Sequence, residues 1–131
     1  IAFGTDRDGW NRIYVMDDDG SAPVYVGNDS TVNDQAPAWS PDGSKIAFSS
    51  DRTAGDDIYV MDADGSNPVR LTDSPGYDTA PSWSPDGSKV AYAGNETGTF
   101  DIWVVESDGS GPVDLTRSSD DDTAPSWSPV H

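Results

Sequence analysis

The string Ala36-Pro37-Ala38-Trp39-Ser40-Pro41-Asp42-Gly43-Ser44-Lys45 returns as Ala80-Pro81-Ser82-Trp83-Ser84-Pro85-Asp86-Gly87-Ser88-Lys89. It begins again as Ala124-Pro125-Ser126-Trp127-Ser128-Pro129. Other strings keep step with it. Ile1-Ala2-Phe3 returns as Ile46-Ala47-Phe48 and Val90-Ala91-Tyr92, and Ile13-Tyr14-Val15-Met16 as Ile58-Tyr59-Val60-Met61 and Ile102-Trp103-Val104-Val105. Trp39, Trp83 and Trp127 are 44 residues apart each time. Almost the whole chain belongs to some copy, so the fold must be built from one repeated unit that buries its apolar face on its neighbours.

Each unit reads as four short strands. The Ala-Pro-x-Trp-Ser segment is the first. In the Pro-Asp-Gly-Ser turn after it, Pro presets φ, Asp caps and Gly accepts a positive φ. Lys-Ile-Ala-Phe is the second strand. A variable loop (Asp6 to Asn11, Asp51 to Asp56, Asn95 to Phe100) leads to the third, and Asp-Gly at 19–20, 64–65 and 108–109 marks a hairpin. A short last strand follows Pro23, Pro68 or Pro112, and a proline there suits an outer edge. Four strands per unit of about 40–45 residues indicates an all-β chain and a β-propeller, with one blade per repeat. We read residues 1–131 as a single domain of three four-stranded blades, with repeats at about 1–45, 46–89 and 90–131.

The iterated Trp-Ser-Pro-Asp-Gly and Ile-Tyr-Val-Met-Asp-x-Asp-Gly-Ser motifs resemble the TolB-type propeller repeat over essentially the whole chain. Arg12 stands where Asp57 and Asp101 stand, Asn95-Glu96 replaces Asp51-Arg52, and Val26-Gly27 replaces Leu71-Thr72. The resemblance implies six blades, a first strand that lines the axis, protein or peptide binding at the channel mouth, and a periplasmic or extracellular setting.

Three blades are too few for a ring of the usual four to eight. The chain opens at a second strand, Ile1-Ala2-Phe3, and closes after a first strand, Ala124-Pro125-Ser126-Trp127-Ser128. The expected solution is a C2 homodimer: a six-bladed ring completed by a second chain, with those two segments paired across the subunits by strand exchange. Such an assembly is closed and hides open sheet edges. A fragment of a longer propeller, or an engineered repeat chain with no ligand of its own, is the alternative. The start at Ile1, within a repeat, is read as a signal peptide absent or already removed.

Charge narrows the partners. Formal net charge is −17, and 22 of the 24 acidic residues are Asp. A phosphate backbone would be repelled, so no nucleic acid is expected. No run of about 18 apolar residues is present, so no membrane insertion is expected. The acids lie in every loop, as in a solvated coat suited to a high-salt organism, where charge repulsion is screened. There is no cysteine, which removes disulfides and thiolate-bound zinc.

Candidate sites are few. Asp34, Asp78 and Asp122 each stand five residues before a first-strand Trp. With the first strand on the axis, as the resemblance implies, they approach the central channel and form a candidate metal site for Ca²⁺ or another cation; no cofactor is otherwise required. Trp10, between Arg7 and Arg12 in a loop that the other copies lack in this form, is a candidate binding element. The repeated Trp residues are read as packing between blades. Asp62-Ala63-Asp64-Gly65 fails as a calcium loop because Ser66, Asn67 and Asp73 fall at positions five, six and twelve. The only histidine is His131, there is no Gly-x-Ser-x-Gly elbow, and no carboxylate pair stands out for a glycosidase, so the chain is read as non-enzymatic. A hydrolase or glycosidase using channel carboxylates is the alternative.

Overall fold

Every strand pairing is antiparallel and every sheet follows chain order, because short turns join strands that are neighbours in sequence. The structure is a computed structural model that describes residues 1–27 and 29–129; His131 lies outside the described residues. Strands β1 (Ala2–Thr5), β2 (Arg12–Val15) and β3 (Val24–Tyr25) form the first sheet. The second holds β4 (Asp34–Trp39), β5 (Lys45–Ser50), β6 (Asp57–Asp62) and β7 (Val69–Arg70). The third holds β8 (Asp78–Trp83), β9 (Lys89–Gly94), β10 (Asp101–Glu106) and β11 (Val113–Asp114). No helix occurs among the described residues.

Two blades are therefore four-stranded, and the first has three strands, not the four expected. Its missing first strand is supplied in the repeat by residues 124–129, which have no second strand beside them and form no ladder. That segment nevertheless has the backbone of a first strand. Ala36 and Ala80 sit at φ 51° and 53°, where the ladders to β5 and β9 are interrupted by a bulge, and Ala124 sits at φ 54°. Positive φ is rare for alanine and is tolerated here because the bulge re-aims the strand after it. The Trp that follows is placed alike each time: Trp83 Nε1 donates to the Ala38 carbonyl at 3.1 Å and Trp127 Nε1 to the Ser82 carbonyl at 3.0 Å.

The core lies between the blades. Ile13 and Val26 of the first blade, with Val15 partly buried beside them, meet Ile46, Phe48, Tyr59, Met61 and Trp39 of the second. Ile58, Val60 and Leu71 of the second blade meet Val90, Tyr92, Val105, Trp83 and Trp103 of the third. Each seam thus joins one face, with its Ile, Val and Leu, to the aromatic-rich opposite face of the next blade. Trp39 and Trp83 are the interblade packing expected of them. The two-residue fourth strands lie at the edge, and Val24, Val69 and Val113 are exposed there. Turns are sealed locally. Asp42 accepts from Ser40 Oγ at 2.6 Å and from the Ser44 N–H at 3.1 Å, and Asp86 repeats the arrangement with Ser84 and Ser88. These donors hold both carboxyls down to about 2.

Candidate functional site

Three places merit attention: the carboxylates that open each first strand, the arginine–aromatic cluster of the first blade, and the two outer faces of the chain.

Asp34 begins β4 and is buried against Arg52, whose Nη2 donates to both carboxylate oxygens at 2.9 and 3.0 Å. Asp78 begins β8 and is fully buried, with Ser74 Oγ donating to each oxygen at 3.1 Å. Burial pushes its carboxyl up to about 6; the Thr72 and Ser74 hydroxyls pull it back, and Asp57 and Glu96 add like charge. Asp122 is half-buried, and its N–H donates to the Phe100 carbonyl at 2.7 Å. The three stand in successive copies with different surroundings: a guanidinium, hydroxyls, and an open strand. Among the described residues no three His, Cys, Asp or Glu side chains gather in a way that fits a metal ion.

Two buried carboxylates were not singled out from sequence. Asp57 accepts from Thr53 Oγ1 at 2.5 Å and from Arg70 Nη2 at 2.7 Å. Asp101 accepts from Thr97, Thr116 and the Ser118 N–H, and these bonds hold its carboxyl low. Their recurrence one period apart was a readable signal of a structural role. Arg12 replaces them in the first blade, where it pairs with Asp8 at 3.4 Å and lies over Tyr25 at 5.4 Å.

Trp10 is exposed, while Arg7 stacks 4.8 Å from the Tyr14 ring and 5.6 Å from Phe3. Phe3, Tyr14 and Tyr25 make a ladder across the sheet at centroid spacings of 6.0 and 5.7 Å. The Tyr14 hydroxyl donates to Asp8 at 2.7 Å.

The two outer faces leave large apolar side chains open. Ile1 on the first blade is exposed, and Phe3 and Tyr14 are only half-buried. On the third blade Leu115 is exposed, and a cavity of about 210 Å³ opens among Ala91, Ile102, Val104, Leu115, Pro125 and Trp127. Ala2 pairs with Val15 along β1–β2, leaving the other edge of β1 unpaired, while Ser126 and Ser128 border the cavity of the third blade.

The TolB beta propeller domain model matches residues 1–131. Among solved structures, a putative TolB from Agrobacterium tumefaciens is 32% identical with a TM-score of 0.88; the match covers 98% of this chain and 46% of that one. TolB from Acinetobacter baumannii is 23% identical with a TM-score of 0.85, covering 98% and 32%. A puromycin-hydrolysing peptidase from Mycobacterium tuberculosis is 22% identical with a TM-score of 0.66, covering 89% and 19%, a likeness of fold alone. No curated protein matches. The chain spans less than half the length of these relatives, and it belongs to the TolB β-propeller domain family.

Proposed function

We propose that this chain is a non-enzymatic propeller scaffold whose first partner is a second copy of itself, the two closing a six-bladed ring that presents a channel mouth to a protein or peptide. One observation carries the reading: the chain's two open faces are the two halves of its own internal seam. The third blade offers Ile102, Val104 and Leu115, the repeat counterparts of Ile58, Val60 and Leu71. The first blade offers Ile1, Phe3, Tyr14 and Met16, the counterparts of Ile46, Phe48, Tyr59 and Met61. A C2 dimer buries both faces twice, with the geometry the chain already uses. The same docking lets residues 124–128 pair with β1 of the other copy, giving the first blade its fourth strand.

The expected result in solution is a mass of twice 13.9 kDa at micromolar concentration. A folded 13.9 kDa species there sinks the proposal. Register gives a sharper check. Ala38 pairs with Ala47, and Ser82 with Ala91, so Ser126 is expected opposite Ala2 of the partner. Paired Cα atoms lie within disulfide reach. In this cysteine-free chain, the variant Ala2→Cys/Ser126→Cys is expected to oxidise to a covalent dimer, read on a non-reducing gel. Each single variant is expected to give almost none.

A further inference from the structure

In the second blade Arg52 is held from three sides. Its Nε donates to Ser50 Oγ at 2.8 Å, its guanidinium lies 5.4 Å over Phe48 and 4.8 Å over Tyr59, and Nη2 grips Asp34 on the neighbouring strand. The repeat puts Arg7 in the place of Arg52, Thr5 for Ser50, Phe3 for Phe48 and Tyr14 for Tyr59. The structure holds Arg7 in the same pose: Nε donates to Thr5 Oγ1 at 3.3 Å, and the guanidinium lies 5.6 Å over Phe3 and 4.8 Å over Tyr14. What differs is the carboxylate. Among the described residues no first strand lies beside β1, and Arg7 makes no ion pair.

Asp122 is the residue the repeat assigns to that role. It stands five residues before Trp127, as Asp34 stands before Trp39. Its N–H donates to Phe100 O at 2.7 Å, as those of Asp34 and Asp78 donate to Asn11 O and Asp56 O at 2.9 and 2.7 Å. Glu96 takes the arginine's place in the third blade, so the pairing is not common to all blades. We propose that Arg7 of one chain forms an ion pair with Asp122 of a second copy, inside the blade the two chains complete together. Symmetry gives two such pairs per dimer. The inference rests on the dimer proposed above and says which residues lock it.

Charge makes the pair matter. Two chains of net charge −17 must approach, and the register that joins Asn33 to Asp51 brings Asp121 to Asp6. Two carboxylates then meet at the seam, with Asp122 behind them. Arg7 is the cation placed to offset them, from a site already ordered by stacking and a hydrogen bond.

The test is sedimentation equilibrium over a dilution series, at 0.1 M and 1 M NaCl, on the wild type, Arg7→Asp, Asp122→Arg and a one-to-one mixture of the two variants. Each variant alone is expected to raise the dimer Kd about tenfold or more. The mixture is expected to recover most of the loss. In a heterodimer of the two variants each seam again joins one arginine to one aspartate, native at one seam and with the charges exchanged at the other, which no repair within one chain achieves. A wild type that dimerises, with both variants equally tight, overturns the ion pair and leaves the dimer standing. So do variants that weaken the dimer but gain nothing on mixing. A monomeric wild type overturns both readings.

Discussion

Replacing Gly65 with alanine is expected to lower the stability of the chain by about 3 kcal/mol or more, while the same change at Gly9 costs about 1 kcal/mol. Both glycines have left-handed backbone, at φ 88° and 91°. They differ in what stands in front of them. A Cβ on Gly9 meets nothing within 4 Å, whereas a Cβ on Gly65 falls 1.5 Å from the Val26 carbonyl oxygen and 2.6 Å from its carbon. The Asp64-Gly65 hairpin of the second blade abuts the outgoing chain of the first, backbone against backbone, with no flexible side chain to yield. Relieving the overlap means moving Val26 by about 2 Å or more, since non-bonded carbon contacts sit near 3.5–4.0 Å. Val26 belongs to the first interblade core with Ile13 and Phe48, so the seam opens where apolar burial is concentrated. Close-packed interiors do not absorb such a shift. Thermal unfolding followed by circular dichroism is the check, with a drop in melting temperature of roughly 10 °C expected for Gly65→Ala. Equal melting points for Gly65→Ala and Gly9→Ala would show that the blades are further apart than this contact requires.

That contact was invisible in the sequence, although the turn was not. Asp64-Gly65 marks a hairpin by its chemistry alone, because the tight turn that closes the Asp62 N–H on the Ser66 carbonyl needs a residue that accepts positive φ at 65. The closeness of Val26 depends on how two blades splay around an axis, which no local pattern encodes. The same divide runs through the candidate sites. Trp39 and Trp83 were legible as packing because residues repeated in every unit serve what every unit shares. The stacking of Arg7 on Phe3 and Tyr14 was not, because it joins adjacent strands through a register that the loop hides. The Arg52–Asp34 pair bridges 18 residues across a bulge at Ala36, and a one-residue slip in that ladder would turn the two side chains to opposite faces. Sequence placed Asp34, Asp78 and Asp122 in equivalent positions, and they are equivalent in backbone. Their surroundings diverge because a residue one loop away, Arg52 or Glu96, differs between copies.

That divergence sets the second large effect, on Asp78. Its carboxyl is pushed from the ordinary 3.8 up to about 6, chiefly by burial, with Asp57 and Glu96 as like charges and the Tyr92 ring close by. The group therefore takes up a proton more readily in the folded chain than in the unfolded one. Its contribution favours the fold fully below about 4, and is lost as pH rises through about 6. The shift corresponds to roughly 2–3 kcal/mol of destabilisation at pH 7.5. Asp78→Asn removes the charge and keeps an oxygen to accept from Ser74 Oγ, so it is expected to be more stable than wild type by about that amount at pH 7.5, with the advantage vanishing near pH 4. Asp42 and Asp86, held down to about 2, titrate in the opposite sense at lower pH, and being common to both proteins they cancel in the difference. The same substitution at Asp34 is expected to destabilise at pH 7.5, because it takes the counter-charge from the Arg52 guanidinium. Urea unfolding of wild type, Asp78→Asn and Asp34→Asn at pH 4.5, 6 and 7.5 separates the two cases. If Asp78→Asn gains nothing between pH 4.5 and 7.5, the buried carboxyl is ionised without penalty, and the hydrogen bonds from Thr72 and Ser74 offset the cost of its burial in full.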